Sequence, residues 1–394
     1  MNIKASQRAA SIKPSPTLAV TARAARMRAE GHDVISFSAG EPDFDTPEHI
    51  KAAAVQALKD GFTKYTDVGG TPELRQAIIA KFRRENRLEY TDKQVLVSCG
   101  CKHSLYNMMQ ALLNPDDEVI IPAPYWTSYP DMVKLAGGEP VIIKTGIDRN
   151  FKISKGQLTG AITDKTRLII LNSPSNPTGV SYSPGELAVL GGVLLEHPEI
   201  IIATDDIYEH ILWNQTPFTN IVNACPELYE RTLVFNGVSK AYSMTGWRIG
   251  YVAGPETLVT AMKNIQSQST SNPTSIAQVA AQAALEGDQS YITESTRIFK
   301  ERHDFINDAL NRIDGVRAPA ADGTFYIFPD MEETIDRLDG IKDDVQLAEY
   351  LLEKAGIAVV PGSAFGAPGC IRISFATSME NLEEGVRRLK KALK

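Results

Sequence analysis

Lys240 is the residue of this chain whose type and setting best suit covalent chemistry. It stands in the segment Asn236-Gly-Val-Ser-Lys-Ala-Tyr-Ser-Met-Thr-Gly-Trp-Arg-Ile-Gly-Tyr251, between two short β-rich runs at 232–236 and 249–253 that read as buried strands. Burial and a nearby cation, here Arg248, lower a lysine's pKa and free its neutral amine as a nucleophile toward an aldehyde. A loop lysine that snorkels into water is the ordinary alternative. Four further charged positions carry the same kind of question. The run Ile200-Ile-Ile-Ala-Thr-Asp-Asp-Ile-Tyr208 reads as a strand ending in two carboxylates, Asp205 and Asp206, where acids are commonly solvated or cap a following helix. Arg372, in Cys370-Ile-Arg-Ile-Ser374, is a charge in an apolar strand, costly unless paired and suited to holding a carboxylate by two hydrogen bonds. A surface arginine on an edge strand is the alternative there. Lys102 opens a helix behind the strand at 95–98, against the helix dipole, so its charge points to an anion nearby or is simply solvated.

These residues need a scaffold that brings distant segments together. Apolar runs at 94–98, 118–121, 140–143, 167–172, 200–204, 232–236 and 249–253 are separated by turn signals or helical stretches, the pattern of a largely parallel sheet wrapped by helices. Helices are expected at 18–30, at 47–60 and at 72–86, the last two opened by Thr46-Pro47 and Thr71-Pro72. The stretch 272–312 is helical by composition. The C-terminal third alternates strands at 324–328, 357–360 and 370–374 with helices at 345–355 and 379–392, an α+β unit. At 394 residues the chain suits two domains.

Several function classes are excluded. A net charge of −7 argues against nucleic acid as a partner. No apolar run reaches membrane-spanning length, and the first ten residues lack the apolar core of a signal peptide, so a cytoplasmic protein is expected. Cys99, Cys101, Cys225 and Cys370 are too scattered for a disulfide framework, and Cys99-x-Cys101 lacks the second ligand pair of a zinc site, so no metal is expected. Neither G-x-x-x-x-G-K-[ST] nor G-x-G-x-x-G occurs.

The segment around Lys240, with Gly237, Ser239, Lys240, Gly246, Arg248 and Gly250 in place, resembles the pyridoxal-phosphate lysine signature of class I aminotransferases. The resemblance runs over essentially the whole chain and is closest to bacterial gamma-type aspartate aminotransferases, some of which also use prephenate. It implies an α/β protein of fold-type I. Residues 48–290 would form a large cofactor-binding domain around a seven-stranded, mainly parallel sheet, and 1–47 with 291–394 a smaller α+β domain carrying the N-terminal arm. It implies pyridoxal 5′-phosphate as cofactor, amino acids and 2-oxo acids as substrates, and a homodimer with shared active sites. An aromatic- or alanine-preferring aminotransferase is the alternative enzyme. A pyridoxal-phosphate-binding regulator is the non-enzyme alternative, disfavoured because no DNA-binding domain is present.

Residue by residue, the resemblance gives Lys240 the aldehyde and the proton transfer and makes Asp206 the carboxylate beside the ring nitrogen. Tyr208 and Asn176 fall to the ring's phenolic oxygen, and Trp126 to stacking on the ring. Gly100, Cys101, Lys102, Ser239, Arg248 and, from the other subunit, Tyr65 fall to the cofactor, mostly its phosphate. Cys101 stands where the family shows glycine. The substrate's α-carboxylate falls to Arg372, helped by Gly40 and Asn176. The loop Gln266-Ser-Gln-Ser-Thr-Ser-Asn-Pro273 has Ser267 where many relatives carry an arginine for a distal carboxylate. Lys102 is therefore expected to take that charge, with Thr17, Ser15 and Lys13 of the arm completing the substrate site.

Overall fold

The computed structural model describes residues 3–12, 14, 16–214 and 217–394. All seven apolar runs form strands of one sheet: β1 (Val95–Ser98), β2 (Glu118–Ala123), β3 (Glu139–Lys144), β4 (Thr166–Asn172), β5 (Ile201–Asp205), β6 (Thr232–Gly237) and β7 (Gly250–Ala253). Across the sheet the order is β1-β7-β6-β5-β4-β2-β3. β2 to β6 pair in parallel, and β7 runs antiparallel to both β6 and β1. Successive residues of a strand point to opposite faces, so the continuous apolar runs feed two cores at once. Leu96, Ile121, Ile170, Ala203, Phe235 and Val252 pack on one face, while Val97, Ile120, Ile169, Ile202, Val234 and Tyr251 pack on the other.

Helix Cys101–Leu112 supplies Leu105, Met108 and Met109 to the first core. Helices Pro72–Lys81 and Ser275–Glu286 cover the second. The connecting helices Ser128–Leu135, Pro184–Leu195 and Glu256–Ser267 have no bounds in the sequence reading. One was legible: Ser183 and Glu186 form a capping box with Pro184 at the first turn.

A third core lies beyond the C-terminal ends of the strands. It gathers Phe37, Phe299, Phe325, Ile371 and Leu389 around an antiparallel sheet in the order Val360–Pro361, Ile371–Ser374, Tyr326–Ile327. A parallel pair, Ile35–Ser36 with Ile357–Ala358, and helices Ser290–Leu310, Asp344–Ala355 and Met379–Ala392 complete it. Arg372 is on the central strand of that antiparallel sheet, not on an edge. No helix of the described residues is long and apolar enough to cross a membrane.

Behind the sheet lies a buried polar network. The Lys81 ammonium, fully enclosed, pairs with Glu209 and donates to Asn86 Oδ1 at 2.7 Å. The Glu209 carboxylate also accepts from Asn86 Nδ2 and Asn236 Nδ2, each at 2.6 Å. Glu85, Glu209 and His210 converge there, and Lys81 is the cation among them. Removing one partner of a buried pair strands the other charge. Lys81→Met is expected to cost about 3 to 5 kcal/mol of unfolding free energy in urea titration, and Lys81→Met with Glu209→Gln less than Lys81→Met alone.

Candidate active site

The ends of β1, β4, β5 and β6 open into one cavity of about 490 Å³, closed from above by the third core and the helix Pro16–Ala29. This is where ligands bind in open parallel sheets, because strand ends and helix N-termini converge there. Lys240 leaves the connection after β6 and reaches the cavity floor, where Nζ donates to the Gly40 carbonyl at 2.5 Å. Nζ also lies 6.0 Å from the Tyr208 ring centre and 5.8 Å from that of Phe325. Burial lowers its pKa to about 8; Glu41 works against the shift, and Arg372 and Arg248 work with it.

The two aspartates part company at the end of β5. Asp205 continues the face of Ala203, lines the cavity and accepts from the Tyr129 hydroxyl at 2.6 Å. Its other oxygen faces the Cys101 thiol at 3.9 Å and the Ile207 N–H at 3.4 Å. Burial raises its pKa to about 6, and the Tyr129 hydrogen bond is the largest influence opposing the rise. Asp206 is fully buried outside the cavity, accepting from Thr204 Oγ1 at 2.5 Å and Asn220 Nδ2 at 3.2 Å. Burial raises its pKa to about 8, with Glu209 adding to the rise. The expectation for Asp206 is thus corrected: strand alternation turns its side chain to the opposite face from Lys240, and its neighbour Asp205 faces the site.

On the side of the third core, Arg372 is 2% exposed. It donates through Nη1 to Asn176 Oδ1 at 3.0 Å and through Nη2 to the Ser38 carbonyl at 2.9 Å, and Nε has no partner among the described residues. Its Cζ lies 4.3 Å from the Tyr326 ring centre and 5.1 Å from that of Phe365. No carboxylate of the described residues lies within ion-pair distance. Asn176 is held in turn by its N–H to Asn172 Oδ1 at 2.9 Å, and Tyr208 by a hydroxyl contact of 3.1 Å to Tyr326.

At the opposite end, Gly100 takes φ 90° and a Cβ there would lie 2.2 Å from Arg248 Nη2, so only glycine leaves room for the guanidinium. A Cβ on Gly250 would lie 2.0 Å from the Cys101 nitrogen. The two glycines thus let Arg248 lie against the first turn of helix Cys101–Leu112, beside Ser239. Among the described residues Arg248 donates to the carbonyls of Thr245 at 2.8 Å and Cys99 at 3.3 Å. Lys102 is exposed at the mouth, its Nζ 4.7 Å from the Trp126 ring centre, and Trp126 packs edge-on to Tyr129. Thr17 lines the cavity from the N-terminal helix.

The charges of the lining are Lys102, Lys240, Arg248 and Arg372 against Glu41 and Asp205, an excess of cations that calls for anionic ligands. A phosphate beside Arg248 and a helix start, a carboxylate on the uncompensated Arg372 guanidinium, and an aldehyde at Lys240 fit this lining. Residues missing from the sequence expectation are Asp205, Glu41, Tyr129 and Tyr326. Asp205 shares the face of Ala203, a strand phase that the sequence alone leaves open. Tyr65 is on the surface outside the cavity, its side chain 91% exposed. Ser267 is exposed and bonded to Asn264, and Lys13 and Ser15 lie outside the described residues.

Comparison with known proteins agrees with this chemistry. The family model "Aminotransferase class I and II" matches residues 32–389. An aspartate/prephenate aminotransferase of Nitrosomonas europaea is 58% identical over 392 residues, covering 98% of this chain and 99% of its own length. One of Cereibacter sphaeroides is 53% identical over 384 residues, 96% of each chain. Among solved structures, the aspartate aminotransferase from Rhizobium meliloti superposes with a TM-score of 0.96 at 47% identity, covering 100% of this chain and 99% of the other. That of Thermus thermophilus with maleate gives 0.94 at 41%, covering 99% and 100%. With its nucleophilic lysine, its anion-seeking cavity and this match, the chain belongs to the class I and II aminotransferases, enzymes that use pyridoxal 5′-phosphate.

Proposed function

We propose that the chain is an aspartate/prephenate aminotransferase, moving an amino group between aspartate or glutamate and 2-oxo acids, and from such a donor to prephenate to give arogenate. The observation that carries this reading is the buried Arg372, charged and without a carboxylate, across the cavity from Lys240. The aspartate/prephenate names of the relatives and the maleate in the Thermus structure support dicarboxylic substrates. Gly100, Cys101, Ser239 and Arg248 would hold the cofactor phosphate, Trp126 its ring face, and Asn176 and Tyr208 its phenolic oxygen. We assign the carboxylate beside the ring nitrogen to Asp205, since Asp206 faces away. When bound, the cofactor supplies a reactive aldehyde and an electron-withdrawing ring.

Lys240 Nζ has a pKa near the working range, so a useful fraction is neutral amine, able to bond the aldehyde and later to take and return the substrate's α-proton. Arg372 fixes the α-carboxylate by its fork, which orients the bond to be broken. Asp205, supported by Tyr129, would hold a proton on the ring nitrogen. Lys102 and Thr17 take the distal carboxylate.

We further assign residues 48–290 to a cofactor-holding domain and 1–47 with 291–394 to the smaller one that carries Arg372. The assembly is a homodimer: Val55 and Leu58 lie three apart on one helix face, and with Phe62 and Tyr65 they expose apolar surface, from which Tyr65 would enter the site of a second copy. The four unpaired cysteines suit the cytoplasm.

Single-turnover rates with aspartate, glutamate, alanine, phenylalanine and prephenate test the reading. Faster reaction with alanine or phenylalanine than with aspartate would overturn it in favour of a sister aminotransferase. Asp205→Asn is expected to lower kcat by more than about 100-fold, roughly 3 kcal/mol, while Asp206→Asn stays within about threefold; the reverse order would return the role to Asp206. Lys102→Ala is expected to raise KM for aspartate and prephenate by about 10-fold or more, the value of a charged hydrogen bond, and to leave KM for a monocarboxylic amino acid within about twofold.

A further inference from the structure

We propose that Tyr326 is a positioning residue for the Tyr208 hydroxyl, and that its ring at the same time screens the Arg372 guanidinium from protein anions and from water. The inference rests on the functional reading above, in which Tyr208 serves the phenolic oxygen of the cofactor.

Tyr208 is 3% exposed and Tyr326 is fully buried, and their hydroxyl oxygens are 3.1 Å apart. Each hydroxyl can donate once and accept twice. One of the two hydrogens is used between them, and the other has no acceptor among the described residues, although both side chains line the cavity. A buried donor left unmet is costly, so the pair presents one hydrogen to a ligand. If Tyr326 donates to Tyr208, then the Tyr208 hydrogen is the free one. That hydrogen bond polarises the Tyr208 O–H and strengthens it as a donor.

Backbone pairing fixes the pair in place. Tyr326 is in register with Ser374, two residues along from Arg372, so the strand that carries the arginine also sets the tyrosine. Its ring lies 4.3 Å from the Arg372 Cζ, a cation–π contact that neutralises nothing and leaves the guanidinium available to an anion. Its hydroxyl lies 3.4 Å from where a Cβ on Gly40 would stand, and the Gly40 carbonyl is the acceptor of Lys240. One side chain therefore touches the surroundings of all three reacting groups.

The charged and titratable groups that face Tyr208 are Tyr326 and Arg372 from the small sheet, Asp205 from the end of β5, Tyr129 from helix Ser128–Leu135 and Lys240 from the connection after β6. Of these, Tyr326→Phe removes only a hydroxyl and keeps the ring over Arg372. The readout is the pH midpoint of the visible absorption of the cofactor-loaded enzyme without substrate. Tyr208→Phe is expected to raise that midpoint, since the phenolate loses a donor. Tyr326→Phe is expected to raise it by a smaller amount, about 0.3 to 1 pH unit for a weakened hydrogen bond. In the Tyr208→Phe background the second substitution is expected to add nothing, because the group it acts through is gone. The same added shift in both backgrounds, or no shift from Tyr326→Phe where Tyr208→Phe gives one, would overturn the inference and leave the functional reading standing. A silent Tyr208→Phe would overturn the reading of Tyr208 and the inference with it. Tyr326→Leu separates the ring's part: it is expected to raise KM for the amino donor several-fold more than Tyr326→Phe, and equal KM values would remove the screening role.

Discussion

A guanidinium held out of water with no carboxylate beside it governs this site. Arg372 cannot shed its proton, so it stays charged, and its buried surroundings meet it with an amide oxygen, a carbonyl and two aromatic faces. None of these cancels the charge. The unmet field reaches Lys240, where burial and the two arginines together pull the amine toward neutrality against Glu41. A substrate carboxylate bound at Arg372 would reduce that push, so Lys240 gains basicity when there is a proton for it to take. On the proposed function, one uncompensated cation would both recruit the substrate and set the base.

The price of that arrangement is a sheet that must keep carboxylates in the right place. β5 ends in two adjacent acids, and only one can share the face of Ala203. Asp205 receives the Tyr129 hydroxyl and the Ile207 N–H, which favour its ionised form against burial. Asp206 is turned into the network of Thr204 and Asn220 near Glu209, where burial and the neighbouring carboxylate favour its neutral form. Burial raises both acids, but Asp206 further than Asp205, which lessens like-charge repulsion beside the cavity.

Much of this was legible in the chain. The seven strands announce themselves as apolar runs bounded by turns because a sheet covered on both faces needs apolar residues at every position. Lys240, Arg248 and Arg372 stand out by type and setting, Asn176 and Trp126 only by the family resemblance, and the structure brings all five to one cavity. The choice between Asp205 and Asp206 needed the strand's phase, which Ala203 fixes only once it is known which face meets helix Cys101–Leu112. Tyr129, Tyr326 and Glu41 were illegible for a different reason. Their hydrogen bonds join segments far apart in sequence, as Tyr129 with Asp205 or Thr245 with Glu41, and no local pattern distinguishes them from core tyrosines or a loop acid.

The two ends of the substrate site obey different physical rules. Arg372 is enclosed on a central strand, with Asn176 and Ser38 fixing two of its nitrogens and two rings fixing its plane. On the proposed function its fork would accept one carboxylate in one orientation, as the bond to be broken requires. Lys102 is a point charge on a flexible stem at the exposed mouth, steadied by the Trp126 face rather than by a carboxylate, so its three donors can turn to meet an anion at different depths. An arginine fork at the mouth would demand a second fixed geometry and would reject an acid of another shape. Rigidity at the reacting end and tolerance at the distal end are what a site needs if it is to process acids as different in bulk as aspartate and prephenate with one mechanism.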